Sequence, residues 1–150
     1  MSDDLAKAVA VLEARAAVSE LVHRYAFNIR RGILDGFEAL FTEDGEFHIR
    51  GADPTGETPP IDRGAHIGRA AIVAYMGTPG RAPFKVIPMI RNLMIEVDGN
   101  TATSTCLMSS RTWPQGGEVI GEYEDSYRLE DRWRFTKRVF TVFTRPKPRD

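Results

Sequence analysis

Residues 121–138 read GEYEDSYRLEDRWRFTKR. Apolar and polar residues alternate on both sides of the short break EDR (130–132), the pattern of two strands joined by a tight turn. Within VIGEYED (119–125), a period of two places Val119, Gly121, Tyr123 and Asp125 on one face. A phenol and a carboxylate therefore share a face with apolar neighbours. Extended in both directions, the two strands run from EVIGEYEDSYRL (118–129) to RWRFTKRVFTVFTRP (132–146).

The same period continues upstream. KVIPMIRNLMIEV (85–97) reads as a strand, DGN (98–100) is a strong hairpin turn, and TATSTCLMSSRTW (101–113) returns with Ala102, Ser104, Cys106, Met108 and Ser110 on one face. PQGG (114–117) turns the chain once more. Before residue 77 the pattern is helical. Ser2, Asp3 and Asp4 form a helix start, with acids at the positive end of the dipole. Leu12, Ala16, Leu21, Val22, Tyr25, Ala26 and Ile29 recur at helical spacing, and Gly32 stands where a helix ends. DGFEALF (35–41) predicts a short second helix, TEDG a turn, EFHIR (46–50) a strand and RAAIVAYM (69–76) another helix. The Pro- and Gly-rich stretch 51–68 reads as a long loop of the kind that forms lids, with His66 a candidate lid residue. Helices followed by an antiparallel meander predict one α+β domain: a curved sheet wrapped on helices and enclosing an apolar pocket. Residues 144–150 are expected to form a frayed tail.

Bulk properties exclude several classes. A net charge of −1 provides no field for nucleic acid or for an anionic membrane. No window is long and apolar enough to span a bilayer, and the charged N-terminus does not read as a signal peptide. The single cysteine, Cys106, rules out an intrachain disulfide and fits a cytoplasmic setting. His23, His48 and His66 have no metal-binding spacing, and no phosphate loop or dinucleotide fingerprint occurs, so neither metal nor cofactor is expected.

The ordered segments LVHRYAFNIRRG, FEALFTEDGEF, GRAAIVAYM, RNLMIEVDGNTATS and GEYEDSYRLEDRWRFTKR together resemble the SnoaL-like branch of the nuclear-transport-factor-2-like superfamily, from about Leu12 to Phe143. The resemblance implies a cone-shaped α+β barrel with a deep apolar pocket, usually assembled as a homodimer or homotrimer. Its members include dehydratases, a dehydrochlorinase, polyketide cyclases and ketosteroid isomerases, besides proteins that only bind ligands or scaffold complexes. Dehydratase-like members carry a catalytic aspartate five residues after the tyrosine of the Y-A pair. They carry a histidine, the general base, four residues before the asparagine of the N-L strand. The matching positions here are Arg30 and Pro88, neither of which moves a proton.

Other pocket positions of that branch fall on Tyr25, Phe47, Val86, Met108, Val119, Tyr123, Arg138 and Phe140. This chemical set allows a cofactor-free lyase, isomerase or cyclase acting on a mid-sized apolar molecule that is aromatic, terpenoid or polyketide. Arg30 would bind or polarise an anionic oxygen, Asp125 would act as base, and Tyr123 would donate to an oxyanion. It equally allows a non-catalytic binding or accessory domain, or the small subunit of a ring-hydroxylating oxygenase. Arg30 either closes its helix with Arg31 or turns inward and pairs with Asp125. If Asp125 forms a closed ion pair, it is structural and not a base. Arg138 is a strand candidate for pairing with Glu122 or Glu124. Cys106 is expected to line the cavity as a small hydrophobe. Outward-facing apolar strand residues such as Ile95, Val97 and Leu107 suggest self-association.

Overall fold

The computed structural model describes residues 2–33, 35–77, 86–114 and 116–144. The long helix α1 spans Asp3–Arg31. Ser2 caps it by accepting from the Leu5 N–H at 3.3 Å, and Asp3 and Asp4 occupy the first turn. It ends where Gly32 adopts a left-handed conformation (φ 66°) and its N–H turns back to the carbonyls of Asn28 and Ile29. The buried stripe of α1 is Ala14, Val18, Leu21, Val22, Tyr25, Ala26 and Ile29.

Six strands follow: β1 Phe41–Ala52, β2 Ile61–Ile67, β3 Val86–Asp98, β4 Thr101–Thr112, β5 Glu118–Leu129 and β6 Trp133–Phe143. The helix α2, Arg69–Met76, lies between β2 and β3 in sequence. The strands form one open sheet in the order β2-β1-β6-β5-β4-β3, and α1 lies across its inner side against β3 and β6. The architecture is α+β, a cone of curved sheet around helices.

Several sequence readings need correction. The meander of β3 to β6 is antiparallel, but β1 joins β6 in parallel, so the sheet is mixed. Residues 51–68 are not one loop. β1 runs on to Ala52, and IDRGAHI forms edge strand β2, pairing with β1 from Glu46↔Ile67 to Gly51↔Ile61. His66 therefore lies on that strand, stacked on Tyr75 with ring centroids 3.9 Å apart, rather than on a lid. The strand was hidden because an edge strand with solvent on both faces needs no apolar period. DGFEALF yields only a 3₁₀ turn at Phe37–Ala39, since β1 starts at Phe41. Residues 78–85, between α2 and β3, lie outside the described residues, as does the expected tail beyond Thr144. The Thr144 N–H bonds the Ala52 carbonyl at 2.9 Å.

A bulge in β3 matters for everything placed on that strand. Asn92 has φ 54°, and the pairing with β4 slips between Arg91 and Met94. Before the bulge Pro88 and Ile90 face α1. After it Leu93, Ile95 and Val97 pack against the core. Ile95 and Val97 are thus inner residues, while Leu107 lies on the outer face and is 37% exposed.

The sheet's centre is tightly built. Phe41 and Phe135 stack with centroids 5.2 Å apart, and Tyr127 lies on Phe135 at 5.0 Å. At Gly121 an added Cβ would collide with the Thr141 carbonyl oxygen on the adjacent strand and crowd the Phe140 ring. Backbone cannot yield there without parting β5 from β6. Gly121→Ala is expected to lower stability by about 2 kcal/mol in denaturant titrations. A change below about 0.5 kcal/mol would contradict that close approach.

Candidate ligand site

Strand register brings Asp125 of β5 opposite Arg138 of β6, with Phe47 of β1 next to Arg138 on the other side. All three side chains are buried; Arg138 reaches Tyr25 of α1, and Phe47 packs on Tyr75 of α2. Arg138 Nε donates to Asp125 Oδ1 at 2.9 Å, and Nη2 donates to Oδ2 at 3.2 Å. Both side chains are fully buried. The guanidinium lies over the Tyr123 ring at 3.5 Å, with Tyr25 at 4.3 Å and Phe135 at 4.7 Å from its carbon. These rings offer their negative faces to the cation and exclude water from it. Tyr127 Oη donates to Asp125 Oδ2 at 3.4 Å, and Ser104 Oγ lies 2.7 Å from Tyr127 Oη. Arg138 Nη1 is buried and has no hydrogen-bond partner among the described residues.

Burial pushes the Asp125 carboxyl up from its ordinary value, while the Arg138 charge and hydrogen bonds act in the opposite sense. For Arg138, burial works against the charge, but Asp125 and the surrounding phenols outweigh it and hold the guanidinium above its usual value. The two-pronged hydrogen bonding from one guanidinium favours the carboxylate form of Asp125, against the burial that favours its neutral form. Asp125 pairs with Arg138, and neither Arg30 nor Glu122 or Glu124 takes part.

Arg30 occupies the last turn of α1 and is exposed. Its Cα lies one position past the buried Asn28–Ile29 edge of the stripe, so helical geometry turns it away from the interior. The expectation that it faces Asp125 is corrected on that ground. It does not stand in open solvent alone. With His23, Phe27, Pro88 and Ile90 it lines a recess of about 400 Å³ between the end of α1 and edge strand β3, a size suited to a small molecule. Arg30 and Pro88 thus border one cavity. Arg24 on the same wall is paired with Glu20 at 2.7 Å, whereas Arg30 has no ion pair among the described residues. The recess carries an apolar floor and one uncommitted guanidinium at its rim.

The remaining candidates are distributed around the interior. Tyr25, Phe47, Met108 and Tyr123 are buried with the ion pair. Phe140 packs on Tyr123 at 5.0 Å, and Val86 and Pro88 are half-buried on β3. Val119 keeps the face of Tyr123 but lies at the strand's end and is 37% exposed. Tyr127 and Ser104 were missed as partners of the pair. Extending the alternation from Asp125 by two would have found Tyr127. His23 and Phe27 were also missed, although the helical repeat from Arg30 back to Glu20 places them on one stripe.

Cys106 is buried and unpaired in any disulfide. Burial pushes its thiol up to about 11, and Asp125 adds to this while Arg138 opposes it. The unfolded thiol ionises near 9.0. Its contribution to stability is therefore complete below pH 9 and is lost as pH rises towards 11. Tyr127, also raised from its ordinary 10.0, extends the loss upward. Thermal midpoints of the wild-type protein are expected to fall across this alkaline window, with a shallower fall between pH 9 and 10 in Cys106→Ala. Identical profiles would contradict the assignment.

The SnoaL-like domain family matches residues 10–139. The chain belongs to the SnoaL-like family. Solved structures agree with this family's fold. A nuclear-transport-factor-2-like protein with a cystatin-like fold from Novosphingobium aromaticivorans superposes with a TM-score of 0.75 at 22% identity, over 92% of this chain and 87% of the other. A protein from the same organism, assigned as the beta subunit of an aromatic-ring-hydroxylating dioxygenase, gives 0.72 at 15% identity, over 92% and 94%. A third from that organism, assigned as a scytalone dehydratase, gives 0.69 at 20% identity, over 92% and 89%. At these identities the likeness is one of fold. No curated protein matches this SnoaL-like chain by sequence. No helix among its described residues is long and apolar enough to cross a membrane.

Proposed function

We propose that this SnoaL-like domain binds a mid-sized apolar molecule bearing a carboxylate or phenolate, and does so without converting it. The observation that carries this reading is the closed Asp125–Arg138 pair. Asp125 is the only buried carboxylate among the described residues, and both its oxygens are engaged by one guanidinium. A base must be free to accept a proton from substrate, and this carboxylate is committed. The replaced dyad positions supply no substitute, because an arginine and a proline cannot accept a proton. What they supply is a cation beside an apolar floor, which suits an acidic ligand such as an aromatic or terpenoid acid. Accessory service in a larger assembly is compatible with the same reading.

The lyase, isomerase or cyclase reading keeps one observation in its favour. Arg138 Nη1 is buried, has no acceptor among the described residues and sits beside Tyr25 and Tyr123, as an oxyanion-stabilising donor would. That reaction would require a base other than Asp125.

Calorimetric titration with naphthoate and with its methyl ester tests the binding proposal. The acid is expected to bind roughly 10- to 100-fold more tightly, the worth of a charge-assisted hydrogen bond. Equal affinity for acid and ester would remove Arg30 as the recognition element.

A further inference from the structure

The recess beside the end of α1 holds a second polar group that acid recognition leaves unused. His23, Phe27 and Arg30 follow one another at helical spacing on the exposed face of α1, and all three line the recess. His23 Nδ1 lies 2.8 Å from the Ser19 carbonyl oxygen. A carbonyl oxygen only accepts, so Nδ1 carries the ring proton. In the neutral imidazole Nε2 is then a bare acceptor, its tautomer fixed by the backbone of its own helix. Nε2 has no hydrogen-bond partner among the described residues. Glu20, the carboxylate among the described lining residues, is already bonded to Arg24 at 2.7 Å. Between His23 and Arg30 the Phe27 ring is 44% exposed, with the guanidinium carbons of Arg24 and Arg31 each 5.9 Å from its centre. Pro88 and Ile90 of β3 supply an apolar surface to the same recess.

We propose, resting on the acid-binding reading above, that His23 Nε2 is the specificity-determining acceptor for a ligand hydroxyl, so that the recess selects an aromatic hydroxy acid. Arg30 takes the carboxylate, Phe27, Pro88 and Ile90 hold the flat ring system, and His23 receives the hydroxyl proton in a hydrogen bond. Two helical turns set the Cα atoms of His23 and Arg30 about 10 Å apart along the axis. The Arg30 side chain leans back toward the helix N-terminus, which shortens the span between the two polar groups. A carboxylate and a hydroxyl at opposite ends of a fused two-ring aromatic match that separation. The chemistry also fixes the ligand's direction. A bare acceptor opposes the lone pairs of a carboxylate or an ether and rewards only a donor, whereas Arg30 rewards only an acceptor. The hydroxyl and acid ends therefore do not exchange places.

Calorimetric titration at about pH 8, where imidazoles are neutral, tests the role of His23. The probes are a naphthoate bearing a hydroxyl at the end of the ring system far from its carboxylate, the methoxy analogue, and the methyl ester of the hydroxy acid. The wild type is expected to bind the hydroxy acid about 5- to 10-fold more tightly than the methoxy acid, the worth of one neutral hydrogen bond. His23→Phe should bind the two within about twofold of each other. Arg30→Gln should weaken both in parallel and keep their ratio. His23 and Arg30 are exposed, so neither change disturbs the core, and circular dichroism confirms folding of each variant. Equal affinity of the hydroxy and methoxy acids for the wild type, or a hydroxyl preference that survives in folded His23→Phe, would overturn the role of His23 and leave acid recognition standing. An ester that binds the wild type as tightly as the hydroxy acid, or no binding of either acid, would end the acid-binding reading and the selection of hydroxy acids with it.

Discussion

Replacing Arg138 by methionine is expected to destabilise the fold by about 3–5 kcal/mol, because the change leaves Asp125 charged, buried and unpaired. The surroundings make this severe. Neither side chain of the pair has any exposed surface. Tyr127 is the single remaining hydrogen-bond donor to the carboxylate among the described residues, at a long 3.4 Å. The protein's cheapest response is to protonate Asp125, so the loss should be smaller at low pH. Asp125→Leu alone strands the guanidinium instead, partly relieved by the faces of Tyr25 and Tyr123. The double variant D125L/R138M fills the same space with apolar groups and is expected to recover most of the lost stability. Urea denaturation of the two single variants and the double variant gives the coupling directly. If Arg138→Met lies within about 1 kcal/mol of wild type, the pair is not the closed, dry unit described.

Reversing the charge at Arg30 should remove acid recognition almost entirely. In Arg30→Glu, naphthoate affinity is expected to fall about 100-fold or more, since a favourable charge-assisted contact becomes repulsion at the rim of the recess. The methyl ester should lose little, because Phe27, Pro88 and Ile90 are untouched. Stability should also change little. Arg30 is exposed, and its favourable place at the helix C-terminus is worth only a few tenths of a kcal/mol. Isothermal titration of acid and ester against both proteins separates these effects. Parallel losses for acid and ester would mean that the substitution distorts the recess rather than removing a charge contact.

The parts of this molecule that were legible in its sequence share a physical cause. The α1 helix announces both ends through Ser2 and Gly32, and the β4–β5–β6 meander alternates cleanly because one face is buried and the other wet. The inner face of β5 could be read for that reason, with Asp125 on it. Arg30 was harder. A cation in a last helical turn satisfies the dipole whichever way it points, so composition at that position does not encode direction. The partner of Asp125 depends on the register between β5 and β6, which hinges on a bulge between Ser126 and Tyr127 that no local signal marks. The Asn92 bulge likewise reverses the inside and outside of β3 midway, moving Ile95 and Val97 to the core. Edge strand β2 escaped notice because its exposed residues carry no alternation at all.

The most direct test asks whether a bound molecule is left intact. Wild-type protein would be incubated at length with a panel of aromatic acids, hydroxylated aromatics and ketosteroids, with thermal stabilisation and the mass of the recovered compound measured together. Stabilisation by an acid that is recovered unchanged is the predicted result. A product of altered mass or ultraviolet spectrum, formed by wild type and lost in folded Asp125→Asn, would contradict the account.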